Sequence, residues 1–387
     1  MTDLRPDQSM VPTIDGADGA TVLGPDNIAI AAQNPGAPPT DSGSMPNLKF
    51  SFAAAHNRLL PGGWAREVTV RDLPVATTLA GVNMRLKAGA YRELHWHREA
   101  EWAFMLAGHA RIAAIDPHGR NYIDDVGPGD LWNFRAGYPH SIQALDDCEF
   151  LLVFDDGNFS ENETFLVTDW FAHTPRHALA KNFGVPESAF ENIPAAGDIE
   201  HDRYIFNGEV PGALVADIEA VRSPNGTAER MTHRMLAQDP IELPGGSVRI
   251  TDSKNFPAAS TISAAWVELA PGAVREMHWH TNNDEWQYWI SGHARMTVFG
   301  SSGKARTFDY YPGDVGYVPF GMGHYFENVG DEPVRMLELF RSDRFVDVSL
   351  NQWLALTPPQ VVAATLNLDS VAIAAMRKRK PLLMPGR

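Results

Sequence analysis

The chain has 387 residues, of which 44% are hydrophobic and 21% charged, and its formal net charge is −16. This length allows two globular domains that each bury their own core, and the charged fraction is too low for a disordered chain. The acidic balance argues against nucleic acid and anionic membrane surfaces as partners, because both would repel the protein.

Cysteine content and apolar runs bear on the compartment. The single cysteine, Cys148, cannot form an internal disulfide, which favours a reducing environment. The N-terminal residues have neither the basic region nor the apolar core of a signal peptide, and no run approaches the ~20 apolar residues of a membrane span. We therefore expect a cytoplasmic protein.

Residues 1–45 are rich in Gly, Pro, Asp and Ser, which predicts an extended arm. The remainder is an internal repeat, with a first copy over 46–228 and a second over 229–387. At an offset of 183 or 184 residues, the repeat pairs His95-Trp96-His97 with His278-Trp279-His280, Glu101 with Glu285, and His140 with His324. The chain is predicted to contain two copies of one domain.

Within each copy, short β-branched and aromatic runs such as Leu151–Phe154 alternate with Gly, Pro and Asp turns. This spacing is typical of an antiparallel sandwich or barrel. Thr174-Pro175 and Thr357-Pro358 then offer a helix N-cap followed by proline at the first helical position, and Gly184 can end the first of these helices. The predicted fold is all-β, with two tandem jelly-roll β-barrels that carry small helical appendages.

The repeated histidines and glutamates have the spacing of metal ligands. Alternate residues of a strand share a face, so His95 and His97 can bind one ion, and a carboxylate and a third histidine complete the set. Three imidazoles and one carboxylate suit a six-coordinate divalent ion and leave two positions open, which predicts a catalytic rather than a structural site. The predicted ligands are His95, His97, Glu101 and His140 in the first copy, and His278, His280, Glu285 and His324 in the second.

The other histidines receive no metal role. A lone histidine is more often a core or surface residue than a ligand. His109 and His293 do repeat, but each follows a turn glycine outside the ligand spacing, which favours structural roles. The histidines without a repeated partner are His56, His118, His173, His177, His201 and His233.

The spacing Gly89, His95, His97, Glu101, Gly108 resembles the first cupin motif, and Gly313, Pro319, Gly321, His324 resembles the second. The first copy departs from the second motif at Arg135 and Ala144, positions that do not bind metal. Stretches such as 83–86, 92–97, 140–145 and 349–353 narrow the resemblance to the bicupin oxalate decarboxylases. It implies Mn(2+) in both barrels, two per chain, dioxygen as a co-participant, and homo-hexamers built as a dimer of trimers; spacing alone does not choose manganese over iron, nickel or zinc.

Oxalate is a dianion, so a pocket in this acidic protein needs a fixed cation. Arg92 and Arg275 stand three residues before the first ligand histidine of their copies, and a guanidinium can hold a carboxylate through two parallel hydrogen bonds. Strict alternation would place them on the opposite face, so a bulge or bend near Gly89 and Gly272 is required. The alternative is a pair of surface arginines.

The two copies differ most after the last barrel strand. Phe154 is followed by Trp170 after 16 residues, whereas Phe340 is followed by Trp353 after only 13. The excess falls in Ser160–Phe165, which is similar to the family's mobile lid and implies that Glu161 delivers a proton to carbon. The alternative is a solvated loop glutamate.

Arg275 and Glu338 match the family's second arginine and acid, but Phe345 stands where some members have tyrosine. We therefore expect the second barrel to be secondary in the chemistry. Trp96 and Trp279 should face away from the metals, and either electron transfer by stacking across a subunit contact or plain interface packing fits them. Arg377–Lys380 is expected to be a solvated helix end.

The sequence thus predicts a manganese-dependent oxalate decarboxylase that produces formate and carbon dioxide. Two other interpretations stay open: an oxalate oxidase that produces hydrogen peroxide and carbon dioxide, and a non-enzymatic bicupin of the storage-protein type. The three-residue excess with Glu161 favours the decarboxylase over the oxidase, and the retention of all eight ligands argues against the storage protein.

Overall fold

The computed structural model describes residues 4–5, 38–193 and 205–386. Most of the predicted arm, 1–45, and His201 lie outside the described residues. The first thirteen strands are β1 (Lys49–Ser51), β2 (Asn57–Leu60), β3 (Gly63–Val68), β4 (Ala80–Leu86), β5 (Tyr91–Trp96), β6 (Glu101–Ala107), β7 (Ala110–Ile115), β8 (Asn121–Val126), β9 (Leu131–Phe134), β10 (His140–Ala144), β11 (Cys148–Phe154), β12 (Phe165–Leu166) and β13 (Ile205–Phe206).

The remaining strands repeat this series. They are β14 (Thr232–His233), β15 (Ile241–Leu243), β16 (Gly246–Thr251), β17 (Ser263–Leu269), β18 (Val274–Trp279), β19 (Glu285–Ser291), β20 (Ala294–Gly300), β21 (Lys304–Tyr310), β22 (Asp314–Val318), β23 (Gly323–Asn328), β24 (Val334–Phe340), β25 (Val348–Ser349) and β26 (Leu383–Met384). The helices are α1 (Val167–Ala172), α2 (Arg176–Phe183), α3 (Leu214–Ala220), α4 (Leu350–Ala355), α5 (Pro359–Leu366) and α6 (Ser370–Ala374), with short 3-10 turns at Phe52–Ala54, Glu161–Glu163, Glu187–Phe190 and Met235–Ala237.

Each copy folds into a barrel of two sheets, with antiparallel pairing between neighbouring strands. In the first barrel a sheet of order β12-β5-β10-β7-β8 faces one of order β14-β9-β6-β11-β4-β3-β2. The second barrel repeats this with β21-β20-β23-β18-β25 facing β1-β22-β19-β24-β17-β16-β15. Side chains of both sheets fill each barrel, for example Ile112 and Met84 in the first and Met296 and Met336 in the second. The all-β, two-barrel prediction is confirmed.

The two barrels share a third apolar core between their larger sheets. Strands β6 and β11 are buried at every position, because one face lines their own barrel and the other packs against the second barrel. The ring of Phe104 stacks on Trp266 with centroids 5.5 Å apart. A Cβ placed on Gly81 of β4 would lie 2.5 Å from the ring of Trp286, so the barrels meet there at a position that only glycine fits.

The barrels also exchange edge strands. Strand β1, from the beginning of the first copy, pairs with β22 of the second barrel. Strand β14, from the beginning of the second copy, pairs with β9 of the first barrel. Lys49 and Thr232, which begin these strands, are one repeat offset apart, so the exchange is reciprocal. The domain limits 46–228 and 229–387 stay predictions that describe the repeat in sequence.

The helices lie after the barrels. Gly184, in the left-handed conformation at φ 68°, ends α2 as predicted. The predicted N-caps are one residue early, because Pro175 and Pro358 are themselves the caps and the helices begin at Arg176 and Pro359. Within the described residues no helix combines the length and apolar character needed to cross a membrane.

Candidate metal centres

The four predicted ligands of the first copy converge at one end of their barrel. His95 lies on β5, His97 directly follows that strand, and Glu101 and His140 begin β6 and β10. The pairing of β5 with β10 sets His140 opposite His95. All four side chains are buried, and their donor atoms lie within 4.8 Å of one another. The cluster has the dimensions of a site for one ion.

The second barrel repeats this cluster with His278, His280, Glu285 and His324. His324 lies opposite His278 in the pairing of β18 with β23. All four side chains are again buried. Within the described residues these are the two groups of histidine, cysteine and carboxylate side chains with metal-binding geometry.

In each cluster the carboxylate faces two ring nitrogens. Oε2 of Glu101 lies 3.2 Å from Nε2 of His97 and 3.3 Å from Nε2 of His140. Glu285 is closer to its partners, at 2.8 Å from Nε2 of both His280 and His324. A carboxylate between two imidazoles brings together the hard oxygen and nitrogen donors that divalent first-row metals accept.

The other carboxylate oxygen is held differently in the two centres. Nε1 of Trp132 donates to Oε1 of Glu101 at 2.9 Å, whereas Nε2 of Gln287 donates to Oε1 of Glu285 at 2.7 Å. These donors fix the orientation of each ligand carboxylate from outside the coordination sphere.

Each ligand histidine has its Nδ1 against a backbone carbonyl. In the first barrel the acceptors are Glu93 for His95 at 2.6 Å, Glu99 for His97 at 2.7 Å and Tyr138 for His140 at 2.8 Å. In the second they are Glu276 for His278 at 2.6 Å, Val346 for His280 at 2.9 Å and Met322 for His324 at 3.1 Å. An Nδ1–H that donates outward leaves the Nε2 lone pair for a metal.

The local electrostatics support the same protonation state. Burial lowers the pKa of both His95 and His278 well below the ordinary value of 6.5. Burial by itself would raise the pKa of Glu101, but His140 and His97 beside it lower that pKa overall. Neutral imidazoles and an ionised carboxylate are the forms that bind a cation.

The residues present therefore fit a divalent metal. Nε2 of His140, His278 and His280 is buried without a hydrogen-bond partner. For His140 and His280 a carboxylate oxygen lies about 3 Å from this nitrogen. Buried ring nitrogens that face a carboxylate without hydrogen-bond geometry are costly unless an ion binds them. Three nitrogens and one oxygen leave coordination positions open for small ligands.

Arg92 and Arg275 are buried, and a bulge places each on the same face as its ligand histidine. Along β10, His140 and Ile142 are two residues apart and share a face, yet they pair with His95 and Arg92, which are three apart. The same irregularity occurs between Arg275 and His278. The predicted bulge thus exists, but it lies between the arginine and the histidine rather than near Gly89 and Gly272.

The arginine of the second barrel lies between two carboxylates. Its Nε is 3.2 Å from Oε1 of Glu338, and its Nη2 is 3.0 Å from Oδ2 of Asp347. Lys380 pairs with Asp347 from the other side. Burial raises the pKa of Glu338, and the nearby Arg275 opposes this effect. The sequence assigns Glu338 and Arg275 to the second centre, but it does not indicate that Asp347 and Lys380 lie beside Arg275.

The structure locates the extra lid residues. Phe159 and Phe345 each lie with ring centroids 6.1 Å from a ligand histidine, His97 and His280 respectively. The short strands β12 and β25 occupy equivalent positions in the two barrels, since each pairs with the strand that carries the first ligand histidine of its barrel. Between these matched points the first copy has the additional 3-10 turn Glu161–Glu163. Glu161 is buried at 9% exposure, whereas Asn162 and Glu163, the other two residues of the turn, are exposed.

The remaining predicted residues lie away from the centres. Trp96 stacks on Phe165 at 5.5 Å, and Trp279 packs edge-on to Trp353 at 5.7 Å. His109 bonds to Asp146, and His293 stacks on Tyr311. The basic run 377–380 follows α6; Lys380 is half-buried against Asp347 rather than solvated, because the tail turns back to pair β26 with β18.

Sequence reasoning missed the acids next to the arginines. Glu93 and Glu276 are buried, and each accepts hydrogen bonds at the beginning of the helix that follows its barrel. Thr168 of α1 donates to Glu93 through its hydroxyl at 2.9 Å, and the backbone of Asn351 in α4 donates to Glu276 at 3.1 Å. The repetition of Arg92-Glu93 as Arg275-Glu276 in the sequence could have identified these acids.

Comparisons with known proteins agree with the geometry. The cupin family profile matches residues 51–189 and 233–374. The chain is 56% identical over 372 residues to oxalate decarboxylase OxdC of Bacillus subtilis (strain 168), with 95% of each chain covered. It is 41% identical to a probable oxalate decarboxylase of Arthroderma benhamiae, over 96% of this chain and 93% of the relative.

Solved structures of the bacterial relative match over nearly the whole chain. The structure of oxalate decarboxylase from Bacillus subtilis at pH 4.6 has a TM-score of 0.88 and 54% sequence identity, and covers 98% of this chain and 100% of its own. A structure of the same enzyme from work on its Mn(II) centres matches with the same TM-score, identity and coverage. Both ligand clusters fall within the residues that the cupin profile matches.

Proposed function

This chain belongs to the bicupin oxalate decarboxylases. We propose that its N-terminal centre performs the reaction, with Glu161 as the proton donor. The protein is a manganese-dependent oxalate decarboxylase that converts oxalate to formate and carbon dioxide. It has two metal sites per chain, each made of three histidines and one glutamate. The two barrels are not equivalent around these sites, and their differences support the proposal.

The observation that best supports the N-terminal centre is the difference in charge around Arg92 and Arg275. Strand registers match Glu338, which pairs with Gln287, to Leu152, which pairs with Ala103. The matched short strands β12 and β25 likewise set Asp347 against Thr164. At both positions where a carboxylate flanks Arg275, the first barrel therefore has an uncharged residue.

This difference supports Arg92 as the arginine that binds the oxalate dianion. Two unit charges 4 Å apart interact by about 4 kcal/mol at an effective dielectric of 20. Arg275 already has two carboxylate partners within 3.2 Å, and Lys380 pairs with one of them, Asp347, so the charge of Arg275 is balanced within the protein when both acids are ionised. Leu152 and Thr164 stand at the two matching positions of the first barrel, so neither position adds a carboxylate that would compete with oxalate for Arg92.

The second supporting observation concerns how the loop after the last barrel strand is attached to the metal centre. In the second barrel, ligand His280 bonds through Nδ1 to the carbonyl of Val346, which ties the post-strand loop to the centre. In the first barrel, Nδ1 of His97 bonds instead to the backbone carbonyl of Glu99, in the turn that directly follows His97. The lid with Glu161 is therefore free of that tie and can open for substrate and close over it.

The chemistry assigned to this chain's residues follows from these positions. Arg92 binds one carboxylate of oxalate through paired hydrogen bonds. When bound, manganese supplies open coordination positions and one-electron chemistry, with dioxygen as co-participant. Glu161 gives its proton to the carbon that loses carbon dioxide, so that one oxalate dianion and one proton become one formate and one carbon dioxide. The closed lid excludes water from this carbon.

The test replaces Glu161 by Gln, with Glu163→Gln as the matched control in the same turn. Glu161→Gln should abolish formate production and leave measurable peroxide, because the amide cannot deliver the proton. Glu163→Gln should keep formate production, since Glu163 is exposed. Unchanged formate output from Glu161→Gln would overturn the assignment.

Oxalate oxidase activity is the alternative outcome at the same site. It would use the same ligands and arginine but would reduce dioxygen to hydrogen peroxide and release two carbon dioxides. The three-residue turn with a buried glutamate favours decarboxylation, because an oxidase needs no proton at carbon.

We also propose a cytoplasmic homo-hexamer, built as a dimer of trimers. Support for the oligomer comes from apolar side chains that are exposed on the helices after each barrel or directly after them, including Trp170, Trp353 and Leu356. Such clustered exposure is typical of surfaces that bury one another between subunits. Light scattering coupled to gel filtration should give six chains per particle.

A further inference from the structure

The lid turn of the first barrel is bonded to the hairpin formed by β2 and β3. The carboxylate of Glu67 on β3 accepts the backbone N–H of Glu161 through Oε2 at 3.3 Å. Its other oxygen is held by Arg71 at 2.6 Å. Arg58 on β2 donates to the side-chain oxygen of Asn162. Two neighbouring residues of the turn are thus attached to one hairpin.

The second barrel lacks both attachments. The repeat offset of 183 sets Glu67 against Ile250 and Arg58 against Ile241. These isoleucines lie on β15 and β16, which pair with each other as β2 and β3 do. An acid and an arginine at these positions therefore occur together with the additional turn, and aliphatic residues occur where the turn is absent.

The strength of these attachments suits a reversible contact. A hydrogen bond to an ionised group is stronger than one between two neutral groups. The side chain of Glu67 is 25% exposed and that of Arg71 is 57% exposed, so solvent reduces the contribution. Contacts of this size can hold a turn closed for most of the time and still release it in each catalytic cycle.

We infer that Glu67, held by Arg71, and Arg58 form a latch that keeps the lid packed with Glu161 buried, and that this latch sets the ratio of formate to peroxide. Glu67 and Arg58 are positioning residues, since neither is among the residues assigned to substrate or metal. The part concerning product ratio rests on the proposed role of Glu161. A lid that opens more often withdraws the proton donor and admits water before carbon is protonated.

The first test measures lid opening without catalysis. The variants are Glu67→Ile and Arg58→Ile, which copy the second barrel, and Glu67→Gln, which keeps a hydrogen-bond acceptor. Glu268→Ile is the control, because Glu268 is a strand glutamate of similar exposure, 28%, paired with arginines in the second barrel.

Cleavage after Glu161 or Glu163 by a glutamyl endopeptidase, followed by mass spectrometry of the fragments, reports the open fraction when reclosing is fast. We expect roughly fivefold faster lid cleavage in both isoleucine variants, which corresponds to ~1 kcal/mol. Glu67→Gln should fall between wild type and Glu67→Ile, and Glu268→Ile should match wild type. Lid cleavage within twofold of wild type in both isoleucine variants would overturn the latch.

The second test measures products from the manganese-loaded protein. Both isoleucine variants should raise peroxide relative to formate several-fold, with partial rescue in Glu67→Gln and unchanged manganese content. Faster cleavage without a change in product ratio would overturn the control of the ratio by the latch. Formate retained by Glu161→Gln would instead refute the proton-donor role, and the cleavage test would still decide the latch. If Glu67→Ile loses manganese, Arg58→Ile decides both readouts.

Discussion

Removing the metal from one centre at a time distinguishes the contributions of the two barrels to the reaction. Glu101→Gln and Glu285→Gln each remove the single anionic ligand of one cluster and leave the shape of the side chain nearly unchanged. Oε2 of Glu101 faces two ring nitrogens at 3.2 and 3.3 Å in a buried site, and Glu285 faces its two at 2.8 Å. Removing one member of a buried charged contact typically costs about 3–5 kcal/mol. If a loss of this size applies to the metal, its affinity should fall by roughly two to four orders of magnitude at the altered site.

The assay combines manganese content per chain with formate production from oxalate. Each variant should retain one manganese per chain, at the unaltered centre. Glu101→Gln should produce no formate, whereas Glu285→Gln should retain most of the activity, because the proposal assigns the reaction to the first barrel. Full activity in Glu101→Gln, or complete loss in Glu285→Gln with its N-terminal manganese intact, would refute the assignment of the reaction to the first barrel.

Three further results are expected. Asp347→Thr, in a Glu101→Gln background, should strengthen oxalate binding at the C-terminal centre roughly tenfold by relieving the carboxylates around Arg275, as seen by electron paramagnetic resonance of its manganese; an unchanged titration would count against the charge argument. Gly81→Ala should lower the melting temperature, because overpacking against Trp286 costs about 1–3 kcal/mol, and an unchanged transition would contradict the close contact. The metal-free protein should lose stability as pH falls below 6.5, because burial lowers the pKa of three ligand histidines and the unfolded chain then binds more protons; a flat melting temperature from about pH 6.5 to 5 would contradict this.

The ligand clusters could be predicted because they depend on local and repeated features. His95 and His97 share a face through strand alternation alone, and duplication identified the remaining ligands. The structure brings all eight into two clusters. Sequence comparison places the three additional residues within Ser160–Phe165. The matched ring contacts of Phe159 and Phe345 with His97 and His280 restrict them to the turn Glu161–Glu163.

Features that depend on contacts between distant segments could not be predicted. Strand β1 lies on the second barrel and β14 on the first, although hydrophobic alternation is the same for either partner. The acid Asp347 reaches Arg275 only because the loop after β24 folds back over the centre. The bulge was predicted from the need to turn Arg92 inward, but its position was set by pairing with β10 and lies further along the strand.

The most direct test is product analysis of the manganese-loaded wild-type protein with oxalate, between about pH 4 and 7, where a carboxylic acid can act as a proton donor. Metal content is measured on the same sample. The account predicts two manganese ions per chain and one formate for each oxalate consumed, with little peroxide. Less than one manganese per chain, no formate at any pH in this range, or peroxide as the main product would contradict it.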